Sequence, residues 1–161
     1  MGIVLKDYQK KDMKQILPLW NEVVEEGSSF PFEESFTPDS LQKLIDTHLC
    51  AVTAWNKDQI EGMYILGPNL FGRCDSIANA TYIVRKEVRG KHIGEQLVMD
   101  SLKKAKQLGF RILQFNGVVD SNIHARHLYQ RCGFIEIGVL PKGFRVKDGH
   151  YEDMHIMYHE L

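Results

Sequence analysis

The chain has 161 residues, a length that favours one domain, with 43% hydrophobic and 25% charged residues, as in ordinary globular proteins. This composition excludes a disordered tail, a collagen-like repeat and a small disulfide-held scaffold. The formal net charge is -1, from 20 Lys and Arg against 21 Asp and Glu. That balance lacks the basic excess that a sequence-independent nucleic-acid binder needs.

The cysteines and the apolar runs indicate a cellular setting. Cys50, Cys74 and Cys132 are an odd number without CxxC spacing, so we interpret them as free thiols in a reducing cytoplasm. No apolar run approaches the roughly 20 residues that span a bilayer, and residues 1–6 turn polar too early for a signal peptide. We therefore expect a cytoplasmic protein without a membrane segment, in which residues 1–161 form one domain.

The N-terminal part of the chain predicts a strand at residues 3–5 and then two helices. Apolar residues at spacings of three and four predict the first helix, which Gly27 ends: Met13, Ile16, Leu17, Trp20 and Val24. The segment 30–36 carries three aromatic residues and fits neither a helix nor a strand. A second helix is predicted beyond it, through Leu41, Leu44 and Ile45.

The rest of the chain predicts strands that enclose two further helices. The first of these helices opens at Gly94 and ends at Gly109, and the second covers residues 122–131. Strands are predicted at residues 50–55, 60–66, 76–84, 112–116, 134–140 and 154–158, and Asp148-Gly149 signals a hairpin turn between the last two. The order β-α-α-β-β-β-α-β-α-β-β predicts an α/β fold with a central strand-helix-strand unit.

The most informative stretch is the loop at residues 85–94, where a strand ends and a helix begins. Backbone N–H groups at a helix N-terminus lack partners and attract anions, and Gly90 and Gly94 let a phosphate approach the main chain. Arg89 and Lys91 add positive charge. A pyrophosphate cradle and a basic surface turn are both compatible with this stretch taken alone. The glycine spacing fits neither a Walker loop nor a Rossmann fingerprint.

Two motifs together resemble the GNAT superfamily of acetyl-CoA-dependent N-acetyltransferases. The loop Arg89-Gly90-Lys91-His92-Ile93-Gly94 is similar to the family's Arg/Gln-x-x-Gly-x-Gly/Ala, except that His92 replaces the middle glycine. That replacement predicts a backbone at His92 that does not need a positive φ. The second motif runs from Asn122 to Phe134 and resembles Asn-x-x-Ala-x-x-Leu-Tyr-x-x-x-Gly-Phe.

The resemblance implies a mixed, mostly antiparallel sheet flanked by helices, with a central β-α-β unit that binds acetyl-CoA. Its strand-and-loop residues would hold the cofactor: Tyr82, Ile83 and Val84 by their backbone at the pantetheine arm, and Arg89, Gly90, Lys91, His92, Ile93, Gly94 and Glu95 at the phosphates. A neighbouring strand would splay away to make room for the arm. The resemblance also implies a homodimer that pairs through C-terminal strands, here residues 154–158, as an exposed edge.

Asn122 and Tyr129 are the catalytic candidates that this resemblance supplies. Asn122 would hold the pantetheine or face the sulfur, and Tyr129, seven residues later on the same helix face, would protonate the leaving thiolate. Alternatively, Asn122 is a plain helix N-cap and Tyr129 a core tyrosine with a satisfied hydroxyl.

No single general base stands out in the sequence. His124 and His127 lie in the motif helix, and Glu33 and Glu34 follow the first helix, but a water relay or an acceptor that arrives neutral serves equally well. Three further histidines, His150, His155 and His159, show no metal-ligand spacing, so no metal is expected.

Three asparagines at strand or helix ends suggest how the acceptor is recognised. Asn79 and the segment from Asn116 and Gly117 to Asn122 are similar to the fungal proline-analogue N-acetyltransferases. By that resemblance Asn79, Asn116 and Gly117 would bind the substrate. Phe32, in the apolar loop after the first helix, is a further candidate for binding the substrate.

The sequence thus predicts transfer of an acetyl group from acetyl-CoA to an amine of a small molecule. A protein or peptide acetyltransferase would need an open groove, often acidic when its target is basic, whereas the near-neutral charge and the apolar aromatic loop favour a small, enclosed acceptor. A non-catalytic acyl-CoA-binding module remains the third alternative, although it would have no need of Tyr129 as an acid.

Overall fold

The structure, a computed structural model, describes residues 2–161 and has four α-helices and seven strands. The helices are α1 (Met13–Glu26), α2 (Pro38–Asp46), α3 (Ile93–Gln107) and α4 (Ile123–Arg131). The strands are β1 (Val4–Asp7), β2 (Cys50–Asn56), β3 (Gln59–Pro68), β4 (Ile77–Val84), β5 (Ile112–Val119), β6 (Ile135–Arg145) and β7 (Tyr151–Glu160). The predicted order of elements is therefore confirmed, with shifts at the ends: α3 begins at Ile93, before Gly94, and β6 continues well beyond residue 140.

All seven strands form one sheet in the order β1-β2-β3-β4-β5-β7-β6. Every neighbouring pair is antiparallel except β4 and β5, which α3 connects as the predicted strand-helix-strand unit. The α/β, mostly antiparallel fold class is thus confirmed. Strand β7 lies between β5 and β6, so the expectation that residues 154–158 form an exposed edge is wrong. The edge at this end of the sheet is β6, because the hairpin turn at residues 146–150 folds β7 inwards against β5.

Each face of the sheet carries its own helices and its own hydrophobic core. One core joins α3 to the sheet through Leu97, Val98 and Leu113, and the partly buried Leu128 and Tyr129 of α4 pack against it. The other joins α1 and α2 through Ile16, Trp20, Leu41 and Ile83. The periodic apolar stripes of the sequence fill both cores, since each helix turns one apolar face to the sheet.

The hairpin of β6 and β7 reaches across to the C-terminal end of α1. The N–H of Lys147 donates to the carbonyl of Gly27 over 3.0 Å, and Lys147 Nζ donates to the carbonyl of Glu25 over 2.9 Å. Arg145 forms an ion pair with Glu33 in the loop that follows α1. Gly27 adopts φ +65°, and a Cβ there would lie 2.5 Å from Lys147 Cβ. The contact therefore requires glycine for its backbone angle and for the space.

We predict that Gly27→Ala lowers the free energy of unfolding by about 1–3 kcal/mol, because it adds steric overlap to left-handed strain. Gly72→Ala is the matched control: Gly72 has φ +60°, but a Cβ at this position would meet no atom within 4 Å. Chemical denaturation of both variants measures the difference. Equal losses for the two would contradict a tight contact between the hairpin and α1.

Candidate active site

The candidate site begins where β4 and β5 separate. Only two residue pairs join these parallel strands, Ile77 with Ile112 and Ala78 with Leu113. Just past them, Asn79 Nδ2 donates to the carbonyl of Gln114 over 2.9 Å and holds the strands at the point of divergence. Beyond Asn79 the strands enclose a cleft of about 970 Å³ that residues of both strands line.

The cleft connects the two faces of the sheet. Ala80 and Tyr82 of β4 belong to the core under α3 and α4, whereas Ile83 belongs to the core under α1 and α2. Side chains alternate along a strand, so Asn79 and Thr81 share the face of Ile83. Residues of both helical layers line the same cleft, which therefore offers a passage for two molecules that approach from opposite faces.

The loop before α3 places a helix N-terminus at one end of the cleft. Its backbone turns at Gly90, with φ +83°. Gly94 allows α3 to approach α4, since a Cβ there would lie 3.1 Å from Leu128 Cδ2. Together these residues expose the first N–H groups of α3 at the cleft, which is the arrangement that binds phosphate.

His92 adopts the left-handed conformation, with φ 60° and ψ 16°, immediately before α3. The expectation that this position does not need a positive φ is therefore wrong. The chain must turn from the loop into α3 over few residues, and His92 therefore adopts the left-handed backbone conformation although it carries a Cβ. His92 Nδ1 lies 3.0 Å from Glu95 Oε2, but the His92 side chain is three-quarters exposed, so this contact offsets little strain.

The sequence analysis expected Arg89 and Lys91 to face the cofactor phosphates, and the structure places both side chains differently. Arg89 Nη2 lies 3.0 Å from Glu26 Oε1 at the end of α1, and both residues line the cleft. Lys91 is exposed and does not line it. The other expected cofactor residues, Tyr82, Ile83, Val84, Gly90, His92, Ile93, Gly94 and Glu95, do line the cleft.

Asn122 and Tyr129 lie on α4 and line the cleft. Asn122 is the N-cap of α4, and its Oδ1 accepts from the N–H of Ala125 over 3.3 Å. A helix cap is thus one role of this side chain, as the sequence allowed.

Tyr129 packs in a group of aromatic rings, with its centroid 4.3 Å from that of Phe115 and 6.2 Å from that of Tyr82. Burial raises the pKa of the Tyr129 phenol above its ordinary value, so it keeps its proton at neutral pH. Within residues 2–161 its hydroxyl has no hydrogen-bond partner, whereas the Tyr82 hydroxyl lies 2.6 Å from Ser101 Oγ. The alternative of a core tyrosine with a hydrogen-bonded hydroxyl therefore fits Tyr82 and does not fit Tyr129.

Amide side chains occupy the α1 and α2 face of the cleft. Asn116 exchanges two hydrogen bonds with Asn69, of 2.7 and 2.9 Å, which fixes the orientation of its amide. A Cβ at Gly117 would lie 2.7 Å from Met154 Sδ, so this backbone stays bare against the hairpin. Asn79 keeps its Oδ1 beside the opening, because its Nδ2 is used by Gln114.

Some of the predicted general bases and acceptor-binding residues line the cleft, and others do not. His124 and His127 line the cleft, whereas Glu33 pairs with Arg145 and Glu34 is exposed away from it. Phe32 also lies outside the lining and packs edge-on against Phe30 and Phe36, while Phe30 itself lines the cleft.

Several lining residues were not predicted from the sequence, and three of them bear on the chemistry of the cleft: Glu26, Phe144 and Met154. Glu26 is one acidic residue among several in α1. Phe144 and Met154 depend on how the hairpin folds across the sheet.

Two further features concern metals and membranes. Among residues 2–161 no group of three or more His, Cys, Asp or Glu side chains has a metal-binding arrangement. Within the same residues, no helix is long and apolar enough to cross a bilayer.

The comparisons with known proteins define the class. The sequence profile described as the acetyltransferase (GNAT) family matches residues 14–134. The chain is 31% identical over 136 residues to the "Uncharacterized N-acetyltransferase YvbK" of Bacillus subtilis. The matched region covers 82% of this chain and 83% of that protein. The chain therefore belongs to the acetyltransferase (GNAT) family and is an acetyltransferase.

Solved structures of related proteins share the fold. A GCN5-related N-acetyltransferase from Kribbella flavida superposes with a TM-score of 0.92 at 29% identity, over 99% of this chain and 98% of that one. A phosphinothricin acetyltransferase from Sinorhizobium meliloti, in complex with AcCoA, has a TM-score of 0.92 at 20% identity, over 100% of this chain and 89% of that one.

We predict that His92→Gly raises the free energy of unfolding by up to about 1 kcal/mol, because glycine adopts a left-handed backbone without a Cβ penalty. His92→Ala keeps the penalty and removes only the imidazole, so it should leave stability unchanged or lower it. Denaturant titration of both variants checks this. A loss of stability in His92→Gly would show that the side chain, not the backbone, determines this turn.

Proposed function

We propose that the protein transfers an acetyl group from acetyl-CoA directly to a primary or secondary amine of a small molecule, such as an amino acid or an analogue, in a ternary complex. The observation that carries the proposal is the gap between β4 and β5 that opens on both faces of the sheet. A thioester and an amine can meet there from opposite sides, so no acetylated enzyme is needed. Residues 1–161 form one acetyltransferase domain in this proposal.

The cofactor would bind along the unpaired side of β4. The backbone of Tyr82, Ile83 and Val84 would pair with the amides of the pantetheine arm, as an added strand does. The phosphates would lie against the N-terminus of α3, between Gly90 and Glu95. The bare backbone at Gly90 and the close approach at Gly94 support this arrangement.

Tyr129 would act as the general acid and Asn122 would hold the arm near the sulfur. The amine nitrogen attacks the carbonyl carbon, the C–S bond breaks, and the sulfur takes the phenolic proton. The surplus proton of the amine returns to the phenolate through solvent. Tyr129 lines the cleft, and its hydroxyl has no hydrogen-bond partner within residues 2–161; both observations support this role.

The acceptor would bind on the face of α1 and α2. Asn79 and Asn116 offer amide groups, Gly117 offers its backbone, and Phe32 contributes by supporting Phe30. The hairpin restricts this side, because Phe144 and Met154 line the cleft and Lys147 ties the hairpin to Gly27. An acceptor side restricted in this way favours a small molecule over a peptide segment.

Acetyl-CoA consumption tests this function against its alternatives. Release of free thiol is followed while the protein meets amino acids, their cyclic analogues, simple amines and peptides with free N-termini or lysines. Release with small amines alone is the expected result. Release with peptides alone would favour a peptide acetyltransferase, and tight CoA binding without release would favour a non-catalytic acyl-CoA-binding module.

We also propose a homodimer in the cytoplasm, with β6 as the pairing edge in place of residues 154–158. The exposed apolar residues Ile135, Ile137 and Val139 of β6 support this, because such an edge invites pairing with a second copy. The three free thiols agree with a reducing compartment. Sedimentation that gives a monomer at all micromolar concentrations would contradict the dimer.

For the general acid, we predict that Tyr129→Phe lowers kcat by roughly 10- to 1000-fold and leaves CoA affinity nearly unchanged, because the ring packing against Phe115 is kept. Tyr82→Phe is the matched control, since it removes a hydroxyl that already has a partner in Ser101. Steady-state kinetics with the best amine of the panel gives the comparison. A wild-type kcat in Tyr129→Phe would assign the proton to water or to the acceptor.

A further inference from the structure

The ion pair between Glu26 and Arg89 links two parts of the site that lie 63 residues apart in sequence. Arg89 Nη2 contacts both carboxylate oxygens of Glu26, at 3.0 and 3.4 Å. Arg89 Nε lies 3.4 Å from the carbonyl of Val84 at the end of β4. Arg89 therefore stands between the end of α1 and the loop proposed to hold the cofactor phosphates.

Glu26 holds a distinctive place among the residues that line the cleft. Within residues 2–161, only two carboxylates line it, Glu26 and Glu95. Glu95 belongs to the first turn of α3 and lies 3.0 Å from His92. Glu26 ends α1, on the face of the sheet where the acceptor is proposed to bind. The Glu26 side chain is only one-quarter exposed, so water screens its negative charge incompletely and the charge acts on groups within the cleft.

A pyrophosphate against the N-terminus of α3 would bring at least two negative charges close to Arg89. A guanidinium binds phosphate oxygens through paired N–H groups as readily as it binds a carboxylate. The phosphates and Glu26 repel one another, so both cannot use Arg89 fully. The ion pair of the free protein is half exposed on the Arg89 side and is therefore weak enough to exchange.

We propose that Glu26 competes with the cofactor phosphates for Arg89, so that cofactor binding frees the Glu26 carboxylate to receive the ammonium group of the acceptor. This inference rests on the function proposed above and deepens it: the acceptor arrives as a cationic amine, its ammonium group gives one proton to solvent before the nitrogen attacks, and its affinity depends on prior binding of the cofactor. Glu26 is then a specificity-determining residue, and Arg89 couples the two substrates.

The first test is CoA binding by calorimetry, which needs no acceptor. Glu26→Gln keeps the shape of the side chain and removes its charge, so we expect CoA to bind about 2- to 5-fold more tightly at low ionic strength. The gain should vanish at about 0.5 M salt, where charges are screened, and in an Arg89→Gln background, where there is nothing to compete for. Pantetheine, which lacks the phosphates, should show no gain.

Glu25→Gln is the matched control, because it removes the same charge one residue away. Glu25 does not line the cleft, and its carboxylate lies 3.3 Å from Ser35 Oγ rather than at Arg89. CoA affinity should not change in this variant. Equal gains in Glu25→Gln and Glu26→Gln would reduce the effect to net charge and overturn the competition, as would weaker or unchanged CoA binding in Glu26→Gln.

The second test uses the amine that gives the fastest thiol release in the panel. Glu26→Gln should raise its KM by about 10-fold while CoA binds more tightly, and opposite changes for two substrates cannot come from a general loss of structure. An unchanged KM would overturn the role of Glu26 at the acceptor. If no amine releases thiol, the proposed function fails and this acceptor role fails with it, while the CoA isotherms still decide the competition for Arg89.

Discussion

The loss of pairing between β4 and β5 is the constraint that organises this structure. Two residue pairs hold the strands together, and a single side-chain bond, from Asn79 to the carbonyl of Gln114, marks where they part. Beyond that point β4 and β5 no longer pair with each other, although each still pairs with its other neighbour. The backbone groups on their facing sides are costly to bury unless water or a ligand satisfies them. The gap thus connects the two faces of the sheet, one covered by α3 and α4 and the other by α1 and α2. The proposed chemistry needs this arrangement, because donor and acceptor must meet without a covalent intermediate.

The elements around the gap differ in how far the sequence could predict them. Helices α1 and α3 and the strands follow from apolar periodicity, since each buries one face, and the loop before α3 follows from its glycines and charges. Long-range packing does not follow from local patterns. The sequence around Phe144 and Met154 does not indicate that the hairpin crosses the sheet. The sequence around Arg89 does not indicate that its side chain pairs with Glu26. The interior position of β7 is not predictable, because alternating apolar residues suit an edge strand equally well. The backbone at His92 escapes prediction because a chain can keep a left-handed turn at a modest cost when the loop is short.

Charge and enclosure combine on the acceptor side. Lys147 and Arg145 tie the hairpin to the loop after α1, and the same loop begins directly after Glu26. The loop that anchors the hairpin therefore begins directly after the carboxylate proposed to recognise the charge of the acceptor. Charged groups around His155 lie outside this arrangement: its ring contacts Asp120 and Glu136, and Arg126 joins both carboxylates. That network connects β7 to the loop before α4, and so helps to hold Asn122 at the cleft.

Hydrogen exchange of β4 with and without CoA, read on peptides that cover residues 79–84, tests whether the gap receives the cofactor. If the pantetheine arm pairs with the unpaired side of β4, saturating CoA should slow exchange in these residues and at the start of α3, while β1 and β2 remain unchanged. Pantetheine should slow exchange in β4 alone. Protection confined to α3, with β4 exchanging as fast as in the free protein, would contradict this arrangement, because the gap would then not be where the cofactor arm lies.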